Sequence, residues 1–247
     1  MHNVVNLVRA VSVFTVSVLF LASPGWCGPD PDLGGNVNTT EIVKRYLSAK
    51  QYAQSNLRGV QMEVEIDASL PKLKKKGRLQ ALRNISKLGT VTYRALRFTG
   101  DDSVKKDVIA RYLNTENQPQ DNSLSITPAN YKFHYHGLST REGRKVYVFQ
   151  LSPRRKAVGL FKGELWIDAD TYLPVREAGK FVKNPSVFLK SWEFVREYDI
   201  LDGVAVPRHI ESTANIHLFG RAELNINFSN YSKSDSGDDD VPAGGSQ

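Results

Sequence analysis

Few residues in this sequence have types and spacings suited to chemistry. His134 and His136 stand two positions apart, so both imidazoles would point from one face of a strand, where they could bind a metal. No Cys, Asp or Glu nearby completes a ligand set, and Phe133 and Tyr135 alternate with the histidines. We therefore interpret the histidines as solvent-exposed and predict no metal site.

Catalytic arrangements are equally sparse. A nucleophilic serine in a sharp turn would give a G-x-S-x-G motif, which the sequence lacks, and Cys27 is its only cysteine. Asp168 and Asp170 are a carboxylate pair suited to acid–base chemistry, but Asp-Ala-Asp is also a common turn sequence. We favour the turn and predict neither enzymatic activity nor a cofactor. A polar triad in the folded chain would revive the alternative of a hydrolase.

Basic residues outnumber acidic ones and give a formal net charge of +7. The strongest basic features are two runs, one at Lys74, Lys75 and Lys76 and the other at Arg154 and Arg155. Such runs can bind phosphate groups or an acidic partner. Because an exported protein rarely meets nucleic acid, we expect no nucleic acid and favour an anionic membrane surface or a protein. The alternative is that these charges only solvate strand ends.

The start of the chain predicts export. A polar segment with Arg9 leads into about 13 apolar residues, fewer than the roughly 20 that span a membrane, and a Ser-Pro-Gly turn follows. Trp26 argues against lipid attachment to Cys27, and a lone cysteine forms no internal disulfide. The composition then divides the chain into a signal peptide (1–27), a flexible spacer (28–37), a single domain (38–231) and a disordered acidic tail (232–247).

Hydrophobic spacing predicts two helices and many strands. Asn38, three residues before Glu41, indicates a helix cap, and about four turns of helical spacing follow. A second helix is predicted over 102–116. Elsewhere short alternating runs are joined by turns such as Asp202-Gly203, which indicates an antiparallel meander of about ten strands. A sheet of that size must curl, so we predict a mainly β (α+β) fold, a half-open barrel with both helices on its concave face.

Two short motifs resemble the LolA-like superfamily of periplasmic lipoprotein carriers and outer-membrane lipoprotein-sorting proteins. They are Gly163–Asp168, where a strand ends in an aromatic, an aliphatic and an aspartate, and Thr171–Arg176, where the next strand opens with Leu-Pro. The late Asp202-Gly203 and Val206-Pro207 and the order of elements agree. The resemblance implies an unclosed barrel whose helices plug an apolar cavity for acyl chains, without cofactor or catalytic residues. We expect a periplasmic monomer.

We therefore predict a non-enzymatic binding or carrier protein for a lipid or a lipidated partner such as a lipoprotein. The residues expected to line its cavity are Val64, Ile66, Phe133, Leu165, Ile167, Val175, Trp192, Phe194, Tyr198 and Ile226. If the helices pack tightly, the same residues form an ordinary core. The chain would then be an envelope protein-interaction or stress-sensor module without lipid cargo.

Overall fold

The structure is a computed structural model that describes residues 38–116, 122–185, 189–217 and 220–233. The predicted signal peptide and spacer lie outside these residues, as does all but the start of the predicted acidic tail. The strands are β1 (Val60–Leu70), β2 (Lys75–Ile85), β3 (Val91–Gly100), β4 (Tyr131–Arg141), β5 (Arg144–Pro153), β6 (Phe161–Asp168), β7 (Pro174–Phe181), β8 (Leu189–Leu201), β9 (Val204–Ile216) and β10 (Gly220–Lys233).

Two helices accompany the strands. Helix α1 spans Thr39–Asn56, and the Asn38 side chain accepts a hydrogen bond from the Glu41 N–H at 3.1 Å, which confirms the predicted cap. Helix α2 is continuous but changes type, with α-helical ends (Asp102–Val104 and Ala110–Glu116) around a π-helical turn (Lys105–Ile109). No helix among the described residues is long and apolar enough to cross a membrane.

The ten strands form one antiparallel sheet in the order β3-β2-β1-β10-β9-β8-β7-β6-β5-β4. Each strand pairs with the next one in sequence except β3 with β4, and β1 also pairs with β10, which brings the ends of the domain together. Strands β3 and β4 are the two edges and do not pair with each other. The predicted class is confirmed: a mainly β, unclosed antiparallel sheet with two helices.

Local turn chemistry explains the tight connections. Asp202 (φ 50°) and Gly203 (φ 75°) both adopt left-handed backbone between β8 and β9, as a two-residue hairpin turn requires. At the other end, β10 continues to Lys233, two residues into the stretch predicted as tail. The reason is pairing, because Lys233 lies opposite Val60 and Ser232 opposite Gln61 in β1.

Both helices pack on the same face of the sheet, which we call the inner face. Helix α1 contributes Ile42, Val43 and Tyr46 to a cluster over β4, β5, β6 and β8. Helix α2 contributes Val104 and Ile109 to a second cluster over β1, β2 and β10. The two clusters meet on β8 and β9, so the middle of the sheet is the boundary between the two helix-covered halves.

Candidate functional site

The boundary between the helices holds a set of inner-face residues that we call the central strip. Its members come from three neighbouring strands, and five of the six are aromatic or charged: Glu177, Phe181, Trp192, Phe194, Arg196 and Ser212. Four of them are half-buried, whereas Glu177 and Phe194 are buried. The strip is therefore accessible in part, unlike the clusters on either side.

Strand register places two charges within an apolar row. Across the inner face, Leu165 lies opposite Glu177, Glu177 opposite Arg196, and Arg196 opposite Ile210. The row continues through Ile226, which lies opposite Ile210. Leu165, Ile210 and Ile226 are aliphatic, so the charged pair is the polar feature of this part of the row.

The pair is asymmetric in its exposure to solvent. Arg196 Nη1 lies 3.5 Å from Glu177 Oε2, and the side-chain exposed fractions are 41% for Arg196 and 6% for Glu177. The guanidinium carbon also lies 4.7 Å from the centroid of the Phe194 ring. Arg196 thus lies between a buried carboxylate and solvent, with its guanidinium close to an aromatic ring.

The buried carboxylate influences two tyrosines of the α1 cluster. Burial raises the pKa of Tyr46 well above its ordinary value, and the charge of Glu177 raises it further. The pKa of Tyr131 is also raised, chiefly by burial, with a smaller contribution from Glu177. Both phenols therefore stay neutral, and the hydroxyl of Tyr131 accepts a hydrogen bond from the Phe161 N–H at 3.3 Å.

The rest of the central strip is mainly aromatic. Phe181 lies 4.5 Å from Trp192 and 5.1 Å from Phe194 between ring centroids. Trp192 Nε1 donates to Ser212 Oγ at 2.6 Å, which fixes the indole against β9. Gly179 of β7 leaves room for the Phe161 ring, which packs 4.9 Å from Phe194, because a Cβ there would come within 2.5 Å of Phe161. The strip is an apolar, aromatic surface with one charged pair at its side.

The predicted cavity residues divide among several environments. Phe133, Leu165, Ile167 and Phe194 belong to the α1 cluster, and Val64, Ile66 and Ile226 belong to the α2 cluster. Tyr198 packs on a third inner cluster with Ala53 of α1 and the start of β9. Trp192 lies in the central strip. The structure therefore brings most of these residues to one face, but the aliphatic members are fully or almost fully buried.

Val175 lies instead on the outer face, opposite the helices. It packs with Val146 and Val148 next to Trp166. The reason is a register shift: Trp166 lies opposite Arg176, but Ile167 lies opposite Pro174, which leaves Val175 as the extra residue. A strict alternation of inward and outward residues from Leu173 to Phe181 takes no account of that shift, and it therefore placed Val175 among the cavity-lining residues.

A charged cluster surrounds the outer-face valines. The guanidinium carbons of Arg141 and Arg176 lie 5.6 and 5.3 Å from the centroid of the Trp166 ring. Glu197 accepts hydrogen bonds from both Arg141 and Arg208. Burial raises the pKa of Glu197, but these two arginines outweigh that effect and hold the pKa below its ordinary value. The cluster ties the β4–β5 hairpin to β8.

The two basic runs have different surroundings. Arg154 Nε donates to the Pro128 carbonyl at 2.7 Å and Arg155 Nη2 to the Ser123 carbonyl at 3.0 Å, so both hold the segment before β4. In the first run Lys74 and Lys76 are exposed, while Lys75 Nζ donates to a serine hydroxyl in α2. Only the first run presents free ammonium groups as a surface.

The remaining candidates have structural surroundings. His134 and His136 are both exposed on β4. Asp168 Oδ1 accepts hydrogen bonds from the N–H groups of Asp170 and Thr171, at 3.2 and 2.8 Å, as expected of a turn residue. Within the described part of the chain, no group of three His, Cys, Asp or Glu side chains is placed to hold a metal ion.

Comparison with known proteins gives distant structural similarity only. No protein-family model matches the sequence, and no curated protein does. A solved DUF1329 family protein from Desulfovibrio piger shares 12% identity over 82% of this chain and 94% of its own, with a TM-score of 0.45.

Two further solved structures are similar at a comparable distance. A putative outer membrane lipoprotein-sorting protein domain from Vibrio parahaemolyticus shares 14% identity, covering 81% and 93% of the two chains, with a TM-score of 0.38. A LolA superfamily protein from Nitrosomonas europaea shares 16% identity, covering 79% and 95%, with a TM-score of 0.38. These are of the class that the sequence motifs resemble.

Proposed function

We propose that this protein is a non-enzymatic binding or carrier protein of the bacterial periplasm that holds the apolar chain of a lipid or lipidated partner against the central strip. The observation that carries the proposal is the Glu177–Arg196 pair within an otherwise apolar inner-face row. Binding sites for amphiphiles combine an apolar surface with a few placed polar groups. Arg196, the more exposed partner, is suited to an anionic or carbonyl head group.

Binding of an acyl chain at the central strip requires no chemical reaction. Each methylene removed from water contributes about 0.8 kcal/mol, so an acyl chain laid on the aromatic surface of Phe181 and Trp192 gains affinity from burial alone. The half-exposed rings offer this surface without unfolding either helix-covered cluster. Head-group contacts at Arg196 would then set orientation, while the length of the strip would select the chain.

A second candidate is an envelope protein-interaction or stress-sensor module without lipid cargo. The observation in its favour is that Ile66, Leu165 and Ile226 are fully buried beneath the helices. An acyl chain could reach them only if a helix moved away. In this alternative the inner face serves as an ordinary core, and an exposed surface carries the function.

Titration with a fluorescent fatty acid distinguishes the two. Trp192→Gln removes an aromatic group from the strip, and we expect it to weaken binding about tenfold, the effect of losing part of a large apolar contact. Val195→Gln, on the same strand but the outer face, is the matched control and should bind like the unmodified protein. Equal binding by all three proteins would contradict the proposed site, and no binding by any would favour the interaction module.

A further inference from the structure

The turn between β1 and β2 forms a compact basic projection, which we call the basic tip and define as residues 71–76. Pro71 starts a single 3-10 turn, and the Lys74 N–H donates to the Pro71 carbonyl at 3.0 Å. Lys74 itself has a left-handed backbone (φ 54°), which closes the turn before β2 begins. Lys72, Lys74 and Lys76 are exposed, and Leu73 at the apex is 40% exposed.

Three of the four lysines of the basic tip are not neutralised within the described part of the chain. Lys72, Lys74 and Lys76 form no ion pair with any described residue, whereas each acidic group nearby is paired with another cation. Asp67 pairs with Arg78 (2.7 Å), Asp101 with Lys75 (3.4 Å) and Glu223 with Arg221 (2.9 Å). Three ammonium groups therefore face outward around one exposed leucine.

A cleft of about 920 Å³ opens directly behind the basic tip on the outer face. Lys74, Lys76 and Arg78 line one part of it, and Asp67, Ser69 and Glu223 line another. Because the cleft holds carboxylates as well as cations, the exposed lysines of the tip, rather than the cleft, offer the contact for a phosphate. Basic side chains around an exposed apolar residue are the pattern by which peripheral proteins bind anionic membranes.

We propose that the basic tip docks on the surface of an anionic lipid bilayer, with its lysines against the phosphates and Leu73 entering the acyl boundary. A bilayer is favoured over an acidic protein because the apex is a single leucine flanked by lysines on a narrow turn. A protein interface of ordinary size would need a broader surface around it.

The docking surface lies next to the start of α2. Lys75 Nζ donates to Ser103 Oγ at 3.0 Å, and Asp101 caps the helix by accepting from the Ser103 N–H at 2.8 Å. Helix α2 in turn covers the apolar cluster of β1, β2 and β10. The proposal extends the carrier function by placing a membrane contact beside one of the two covering helices, but it depends on different residues.

Vesicle sedimentation tests the docking surface. The unmodified protein should bind vesicles of equal parts phosphatidylcholine and phosphatidylglycerol, release at high salt, and ignore phosphatidylcholine alone. Changing Lys72, Lys74 and Lys76 together to Gln should reduce the partition coefficient roughly fivefold per lysine, on the order of 100-fold in all. Leu73→Gln alone should reduce it roughly threefold or more, because part of a leucine side chain is no longer buried.

A matched control changes three exposed lysines of other strands, Lys132, Lys145 and Lys162, to Gln, which alters net charge equally. Full binding by this control with loss in the tip variant would support the proposal. Equal loss in both variants, or no binding of anionic vesicles by the unmodified protein, would overturn it. Fatty-acid titration without vesicles separates this result from the carrier function, since the tip variant should still bind the fatty acid.

Discussion

Replacing Arg196 with Met tests whether the charged pair of the central strip is a coupled unit. The change keeps the length and apolar stem of the side chain and removes the guanidinium. It therefore removes the partner 3.5 Å from the Glu177 carboxylate and the cation 4.7 Å from the Phe194 ring. Glu177 is then left without this partner at a position where only 6% of its side chain meets solvent.

The expected cost follows from these contacts. Breaking a fully buried ion pair costs about 3–5 kcal/mol, but Arg196 is 41% exposed, so solvent screening reduces that figure. Loss of the contact with Phe194 adds about 0.5–1 kcal/mol. We expect Arg196→Met to lower the free energy of unfolding by about 2–3 kcal/mol. The double variant with Glu177→Leu should recover to within about 1 kcal/mol of the unmodified protein, because no charge is left buried.

Urea unfolding followed by tryptophan fluorescence measures all four proteins of this double-mutant cycle. Lys180→Met is the control, since that lysine is 59% exposed and lies 3.3 Å from Glu193, which is 56% exposed, and it should cost less than about 0.5 kcal/mol. The reasoning is refuted if Arg196→Met costs no more than the control, or if the double variant is as unstable as the sum of the two single changes.

Three further predictions concern stability. The folded pKa of Glu197 is lowered, so its contribution to the free energy of unfolding is present above its unfolded pKa of about 4.3 and is lost as the pH falls through the folded pKa. Glu197→Gln should therefore make the free energy of unfolding, measured with urea, depend less on pH in this acidic range. Gly163→Ala should cost about 2 kcal/mol or more, because a Cβ collides with the β7 backbone, whereas Gly89→Ala, with open space around it, should cost about 1 kcal/mol from its left-handed φ. Asn38→Ala should cost about 1 kcal/mol and lower the Tm. An unchanged pH dependence in Glu197→Gln, equal costs at the two glycines, or an unchanged Tm in Asn38→Ala would each contradict the prediction for that residue.

The elements that the sequence predicts well are those set by local chemistry. Asn38 caps α1, alternation over 60–68 gives β1, and Asp202-Gly203 forms a two-residue turn. Each depends on residues within a few positions of one another, so a single sequence contains the whole pattern. The curved, unclosed sheet follows from the same patterns because a meander of this size cannot stay flat.

Features that depend on partners far apart in the sequence were not predictable in this way. The displacement of Val175 requires a bulge between β6 and β7, and the pairing of Arg154 with the Pro128 carbonyl requires the folded loop. The Glu177–Arg196 pair did leave a signal, since Arg196 shares the parity of Trp192 and Phe194 in β8. A charge at an inward position of an apolar strand is the pattern that would have identified it.

Native mass spectrometry of the exported protein, with lipid analysis of an organic extract, tests the carrier function most directly. The proposed function predicts a copurifying phospholipid or acylated peptide that is lost or reduced in Trp192→Gln and retained in Val195→Gln. A protein that is free of lipid, and that takes up none when lipid is added, would contradict it.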